Sequence, residues 1–291
     1  MASQSLRPYP LVVARRTMIP RESPEEVTSE LDVLRRDLID EQSALDEMVR
    51  DLSDADWRRA TPSVGWTVAD QIGHLTYFDT SAATAITDDV AFREGVSELV
   101  EGATNHGVDT YTLGAFRRLD AQQQLAEWRR ARTALADAAL SLRDETRVPW
   151  YGPTMSAKSF LSARLMETWA HGTDVADALS VDRRATERLR HVAQLGFITR
   201  KWSYLVRGEE LPAGDVRLQL ISPSGERWTW GREDADDMIT GPAEEFCLVV
   251  TQRRHVDDTS LETGELGYHW LERAQAFAGA ATVGPKRGSS G

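Results

Sequence analysis

Glu167 and His171 stand four residues apart in the segment Arg164-Leu-Met-Glu167-Thr-Trp-Ala-His171-Gly-Thr-Asp174. On a helix, residues i and i+4 share a face, so this carboxylate and this imidazole point the same way. His74 lies far earlier, in Gln71-Ile-Gly-His74-Leu75, on a second helical pattern. A chain that brings the three side chains together must pack two helices face to face. Two His and one Glu then form a three-ligand metal site with an open position. That is the arrangement of a catalytic metal, since structural sites are usually closed by four ligands. Periodicity alone also supports a plainer reading. Arg164, Glu167, His171 and Asp174 run along one stripe, and a charged stripe is ordinarily a solvated face.

The surrounding pattern is mostly helical. Ser23 as cap, Pro24 at the first position and Glu25-Glu26 at the positive end of the dipole predict a helix from 24 to about 52. Its apolar stripe is Leu31, Leu34, Leu38, Leu45, Met48 and Leu52. Thr67 with Asp70 three residues on predicts a capping box opening the helix that carries His74. Gly95, Gly102, Gly107 and Gly114 punctuate 87–118 and predict short helical pieces there. Leu125, Trp128, Leu135 and Leu142 predict a helix over 119–143. Ser156 caps a helix over 157–179, which carries Glu167 and His171, and a fifth helix is expected over 184–207. After Gly208 the character changes. Residues 216–221 alternate like a strand, Pro223-Ser224-Gly225 turns, and 226–230 returns as a hairpin. Met238-Ile239-Thr240 reads as another strand, Gly241-Pro242 opens a helix through Val250, and a last helix is expected over 267–278. The organisation expected is a disordered extension over 1–23 (with Met18 a candidate start), a helical bundle over 24–207, a small α+β domain over 208–280 and a flexible tail over 281–291.

Charge and cysteine usage narrow the function. The 291 residues carry a formal net charge of -12, which argues against a nucleic-acid or anionic-membrane surface. Apolar content of 41% with 27% charged residues fits a globular protein acting in solution, and no apolar run is long enough to cross a bilayer. A single cysteine excludes an internal disulfide and a cysteine-cluster metal site, and fits a reducing cytoplasm. Cys247 lies among Phe246, Leu248 and Val249 and reads as a buried structural thiol. The expectation is a cytoplasmic monomer or homodimer with a small-molecule substrate.

Asp54-Ala-Asp-Trp57, Gly65-Trp66-Thr67-Val-Ala-Asp70-Gln-Ile-Gly-His74-Leu75, Met166-Glu167-Thr-Trp-Ala-His171-Gly-Thr-Asp174-Val-Ala-Asp177 and Gly241-Pro-Ala-Glu-Glu-Phe246 carry a family resemblance. The chain resembles the DinB-like superfamily, in the branch of mycothiol-dependent maleylpyruvate isomerases and related actinobacterial metal-binding proteins. The resemblance implies a mostly α fold, a DinB-like up-down helical bundle with a small α+β C-terminal domain. It also implies a divalent metal, usually zinc, held by His74, Glu167 and His171, and a low-molecular-weight thiol such as mycothiol as cofactor. The implied activity is a thiol transferase or isomerase acting on a small electrophilic or anionic metabolite. A thiolate would add to an electron-poor double bond, and rotation followed by elimination would complete a cis–trans isomerisation.

Two other functions stay open: a thiol-independent metal enzyme (hydrolase, isomerase or cyclase), and a non-catalytic metal- or ligand-binding protein. Asp174 is a candidate either to orient a ligand or to contact substrate. In related isomerases an arginine of the C-terminal domain faces the pocket and suits a carboxylate, which makes Arg253 and Arg254 candidates without choosing between them. Trp66, Trp150 and Tyr151, in loops near the ligands, are candidates to line a cofactor pocket, with ordinary packing as the alternative.

Overall fold

The computed structural model describes residues 29–288. The expected extension over 1–23, the Met18 start and the Ser23 cap lie outside the described residues. Helix α1 spans Glu30–Val49, and Ser29 caps it in an extended conformation, accepting from the Asp32 amide at 3.1 Å. The part of the predicted helix over 24–28 lies outside the described residues; at Ser29 a serine with an acid three residues on closes the first turn of α1.

α2 (Asp54–Trp57) is a single turn, and α3 spans Val68–Thr87. Thr67 and Asp70 make both arms of the predicted capping box, with Thr67 N–H to Asp70 at 2.9 Å and Asp70 N–H to Thr67 at 3.3 Å. The other Asp70 oxygen accepts from Arg117 at 2.7 Å, tying the start of α3 to the turn at 116–118. α4 (Asp89–His106) runs unbroken through Gly95 and Gly102, which corrects the expectation of short pieces. Gly102 serves packing: a Cβ there would lie 2.0 Å from the ring of Tyr111, on α5 (Val108–Leu113). The break comes at Gly107, whose φ of +83° suits only a glycine at little strain.

α6 (Ala121–Ala139) starts on a second capping box, Asp120 with Gln123. A two-stranded ribbon, β1 (Arg147–Val148) with β2 (Met155–Ser156), leads into α7 (Ala157–Leu179), capped by Ser156 as predicted. The fifth predicted helix is two: α8 (Leu189–Ile198) and α9 (Arg200–Leu205). Thr199 separates them, and its hydroxyl bonds back to the carbonyls of Leu195 and Gly196 at 2.8 and 3.0 Å, the local competition that bends helices.

α1, α3, α6 and α7 pack against one another as a helical bundle. Leu45, Ile72, Leu75, Trp128 and Val175 are fully buried between them, each large side chain contributing roughly 1.5–3 kcal/mol. Beyond α9 the predicted hairpin forms from β3 (Val216–Ile221) and β4 (Arg227–Trp230). β5 (Asp237–Pro242) lies parallel to β3 on its other side. α10 (Ala243–Val250) follows, and β6 (Glu262–Thr263), missed in the sequence, completes the order β4-β3-β5-β6. α11 spans Glu265–Leu271 and stops short of the predicted 278. There the Ala276 amide leaves helical bonding to reach the Val250 carbonyl at 2.9 Å.

One apolar cluster runs from Leu31, Leu161 and Leu165 through Val192 to Leu218, Ile239, Phe246 and Trp270, joining the bundle to the sheet. The segment after α11 is pinned rather than loose. The Thr282 amide donates to Gln275 at 3.1 Å, and Arg207 donates to the Thr282 carbonyl at 2.7 Å.

Candidate functional site

α3 and α7 face each other, and their contact contains the three sequence-predicted ligands. One ligand atom each from His74, Glu167 and His171 lies within 4.8 Å of the others. His171 Nε2 is 3.1 Å from Glu167 Oε2, and His74 Nε2 is 3.4 Å from the same oxygen. The two imidazole rings sit 4.2 Å apart, centre to centre.

The tautomer of His171 follows from a chain of bonds that ends on a backbone acceptor. The Trp66 carbonyl can only accept, so the Thr61 hydroxyl donates to it at 3.1 Å. The Thr61 oxygen then accepts from Gln71 Nε2 at 2.9 Å, which turns Gln71 Oε1 toward His171 Nδ1 at 2.5 Å. Nδ1 therefore carries the proton and donates it to Gln71. Nε2 is left with a lone pair aimed at Glu167, with no proton between two acceptors. At neutral pH the ring does not resolve this by protonating. Burial lowers the His171 pKa to about 4, with the charge of His74 and of Arg253 acting in the same sense against the opposing hydrogen bond to Glu167. Burial acts to raise the Glu167 carboxyl, but side-chain contacts with His171 and His74 outweigh it and hold the pKa well below its ordinary value. The His171 lone pair and the Glu167 carboxylate thus converge, beside His74, on one point that a cation would satisfy.

The charged stripe of α7 is buried rather than solvated, which corrects the plainer reading. Arg164 and Asp174 are 2% and 3% exposed. Arg164 donates to Asp79 of α3 from Nε and Nη2, at 3.2 and 2.8 Å, and Gln42 donates to the other Asp79 oxygen at 3.2 Å. Asp174 accepts from Ser63 at 3.0 Å and from Arg253 at 2.9 Å. It therefore positions Arg253.

The left-handed Gln252, at φ +59°, turns the chain after α10 and separates the two arginine candidates. Arg253 lines the cavity beside the triad. Arg254 is not among the residues that line it; it forms a two-bond pair with Asp177 at 3.0 and 3.1 Å.

The triad opens on a cavity of about 770 Å³. Trp66 lies over it, its ring near parallel to His171 (14°) at 6.0 Å and its indole N–H bonded to Asp109 at 2.8 Å. Tyr151 and Trp150 line the wall, with the Tyr151 hydroxyl donating to Ser81 at 3.1 Å. Sequence reasoning missed Gln71, Thr61, Asp79, Trp202 and Phe277. Gln71 left a signal, since it stands three residues before His74 and so shares its face. The others reach the site only through tertiary packing. Cys247 is buried, and burial raises its thiol pKa well above the ordinary value, so it is no nucleophile.

The family model described as the mycothiol maleylpyruvate isomerase N-terminal domain matches residues 38–176, a stretch that contains all three ligand candidates. Two uncharacterised proteins of Mycobacterium tuberculosis, MT0041 and Rv0036c, are each 43% identical over 244 residues, covering 84% of this chain and 94% of theirs. The chain belongs to the mycothiol maleylpyruvate isomerase-like family. Crystal structures of mycothiol-dependent maleylpyruvate isomerase and of its histidine-to-alanine mutant superpose with TM-scores of 0.53 and 0.54. Each covers 81% of this chain and 93% of its own, at 15% identity, which establishes the shared fold. That fold is the DinB-like, mostly α class expected from the sequence.

Proposed function

We propose that the protein is a divalent-metal-dependent thiol transferase or isomerase, with the ion held by His74, Glu167 and His171. The observation that carries this reading is the meeting of one potential ligand atom each from His74, Glu167 and His171, with the His171 tautomer fixed by Gln71. Such a donor set suits zinc and other borderline ions. Bound there, the ion would ease deprotonation of a thiol or water and polarise a carbonyl.

The chain's own residues supply the rest. Gln71 keeps the His171 lone pair on the site. Trp66 covers the triad and limits water. Arg253, held by Asp174 and by the Thr251 carbonyl at 2.6 Å, places its guanidinium as a hydrogen-bond donor beside the triad. The thiol must come from outside, because Cys247 is buried and protonated. Membership of a family whose model is named for mycothiol supports mycothiol as that thiol, and a cytoplasmic location fits such a cofactor.

Elemental mass spectrometry on protein purified without a metal-affinity tag is the test. About one equivalent of a divalent ion, lost in His171→Ala, supports the centre. Turnover of an electron-poor alkene only when a low-molecular-weight thiol is added supports the thiol chemistry. No metal before or after reconstitution at neutral pH sinks the metalloenzyme reading. Metal with ligand binding but no thiol-dependent turnover points to a binding protein.

A further inference from the structure

Two arginines line the cavity, Arg164 and Arg253, and each is committed to a buried carboxylate, Asp79 and Asp174. Paired in this way they bring no net charge. Around the triad, Glu167 contributes one negative charge, so a divalent ion there leaves a formal surplus of one positive charge. A single thiolate or carboxylate neutralises it, and no cation remains to hold a second anion.

The rest of the wall is mostly apolar, interrupted by hydroxyls such as those of Ser63, Thr199 and Thr251, and comes from distant parts of the chain. Phe78 stands one turn after His74, with ring centres 4.5 Å apart. Trp150 lies in the loop of the β1–β2 ribbon and Met155 in β2, Leu195 comes from α8, Trp202 from α9 and Phe277 from the segment after α11. Five of these six, all but Leu195, are only partly buried. They present apolar surface to the cavity that an apolar ligand would cover. The Phe277 position is fixed, because its carbonyl accepts from the Trp202 indole at 3.0 Å.

We infer that this cavity takes a substrate with a bulky apolar body, alkyl or aryl, carrying no more than one negative charge, seated with its reactive end at the triad. The inference rests on reading the cavity as the substrate site. It excludes compact dianions as the preferred substrates. The reactive end lies against His74 and Glu167, and the body runs along Phe78 and Trp150 toward Trp202 and Phe277.

The test is a tryptophan-quenching titration, because Trp66, Trp150 and Trp202 all line the cavity. The probes are hexanoate, octanoate and decanoate, with decanedioate as a dianion of the same length as decanoate. Each added methylene should tighten binding about fourfold, the value of about 0.8 kcal/mol per buried CH₂. Decanoate should bind at least about tenfold tighter than decanedioate, whose second carboxylate must enter the apolar wall.

Ala163→Phe, filling the wall from α7, should abolish decanoate binding. Phe277→Ser should flatten the chain-length dependence, and either variant serves if the other fails to fold. A flat chain-length series in the unmodified protein, or decanedioate binding as tightly as decanoate, overturns the inference. The titration is repeated on His171→Ala. A chain-length dependence retained there, with no metal in the unmodified protein, leaves this inference standing and removes the metalloenzyme reading. Normal metal content with a flat series does the reverse.

Discussion

Replacing Gln71 by Met tests the tautomer argument directly. Gln71 is fully buried, and its carbonyl oxygen, 2.5 Å from His171 Nδ1, is the acceptor that sets which imidazole nitrogen faces the centre. Methionine keeps the length of the side chain and removes both the acceptor and the donor to Thr61. Two consequences follow. The His171 ring is free to place its proton on Nε2, where it would bond Glu167 and occupy the metal position. The ring also loses the partner that raises the basicity of its ligating nitrogen. Outer partners of this kind typically change metal affinity 10–100-fold, or about 1.4–2.8 kcal/mol. The assay is competition for zinc against a chromophoric chelator at neutral pH, with the apo thermal transition as a control for folding. A folded Gln71→Met protein whose affinity matches the unmodified chain would refute the reasoning, because it would show that His171 needs no help in choosing its tautomer.

Four further outcomes are expected. In metal-free protein, His171, with its pKa lowered from 6.5 to about 4, remains neutral while the unfolded chain takes up a proton. Stability is therefore complete above pH 6.5 and falls as the pH drops toward 4, by about 3 kcal/mol; denaturant titrations across that range should show the loss, and His171→Asn should lessen it. Asp79→Ala leaves Arg164 buried without its partner and should lower unfolding free energy by about 3–5 kcal/mol in urea melts. Arg253→Met should reduce thiol-dependent turnover at least about tenfold with metal content unchanged, whereas Arg254→Met, which loses a partly buried pair with Asp177, should keep full turnover and shift stability by about 1 kcal/mol. Thr67→Ala removes the cap of α3 and should destabilise the fold by roughly 0.5–2 kcal/mol, read from the same melts.

Much of this architecture was legible because helix ends are local chemistry. Thr67 with Asp70 and Ser156 before α7 announce the two helices that carry the triad, and both start where the sequence places them. The turns that depend on distant partners were not legible. α4 runs through Gly102 because Tyr111 packs where a side chain would be, and α11 ends early because Ala276 bonds to Val250. Nor could the sequence separate Arg253 from Arg254. Adjacent residues after a helix point in directions set by one backbone angle, here the left-handed Gln252.

The α7 stripe shows why a polar helix face can be ambiguous in sequence and decisive in structure. Arg164, Glu167, His171 and Asp174 would suit water equally well, and the periodicity of α7 does not record which way the stripe faces. Its burial is possible because the compensating groups come from elsewhere: Asp79 from α3, Arg253 from the turn after α10, and Gln71 from the turn of α3 that precedes His74. Burying ions in this number is worth little to stability against an apolar core of the same volume. Each of the two arginine–aspartate pairs is neutral as a whole, so the net charge beside the triad is left to Glu167 and to any cation the triad takes up.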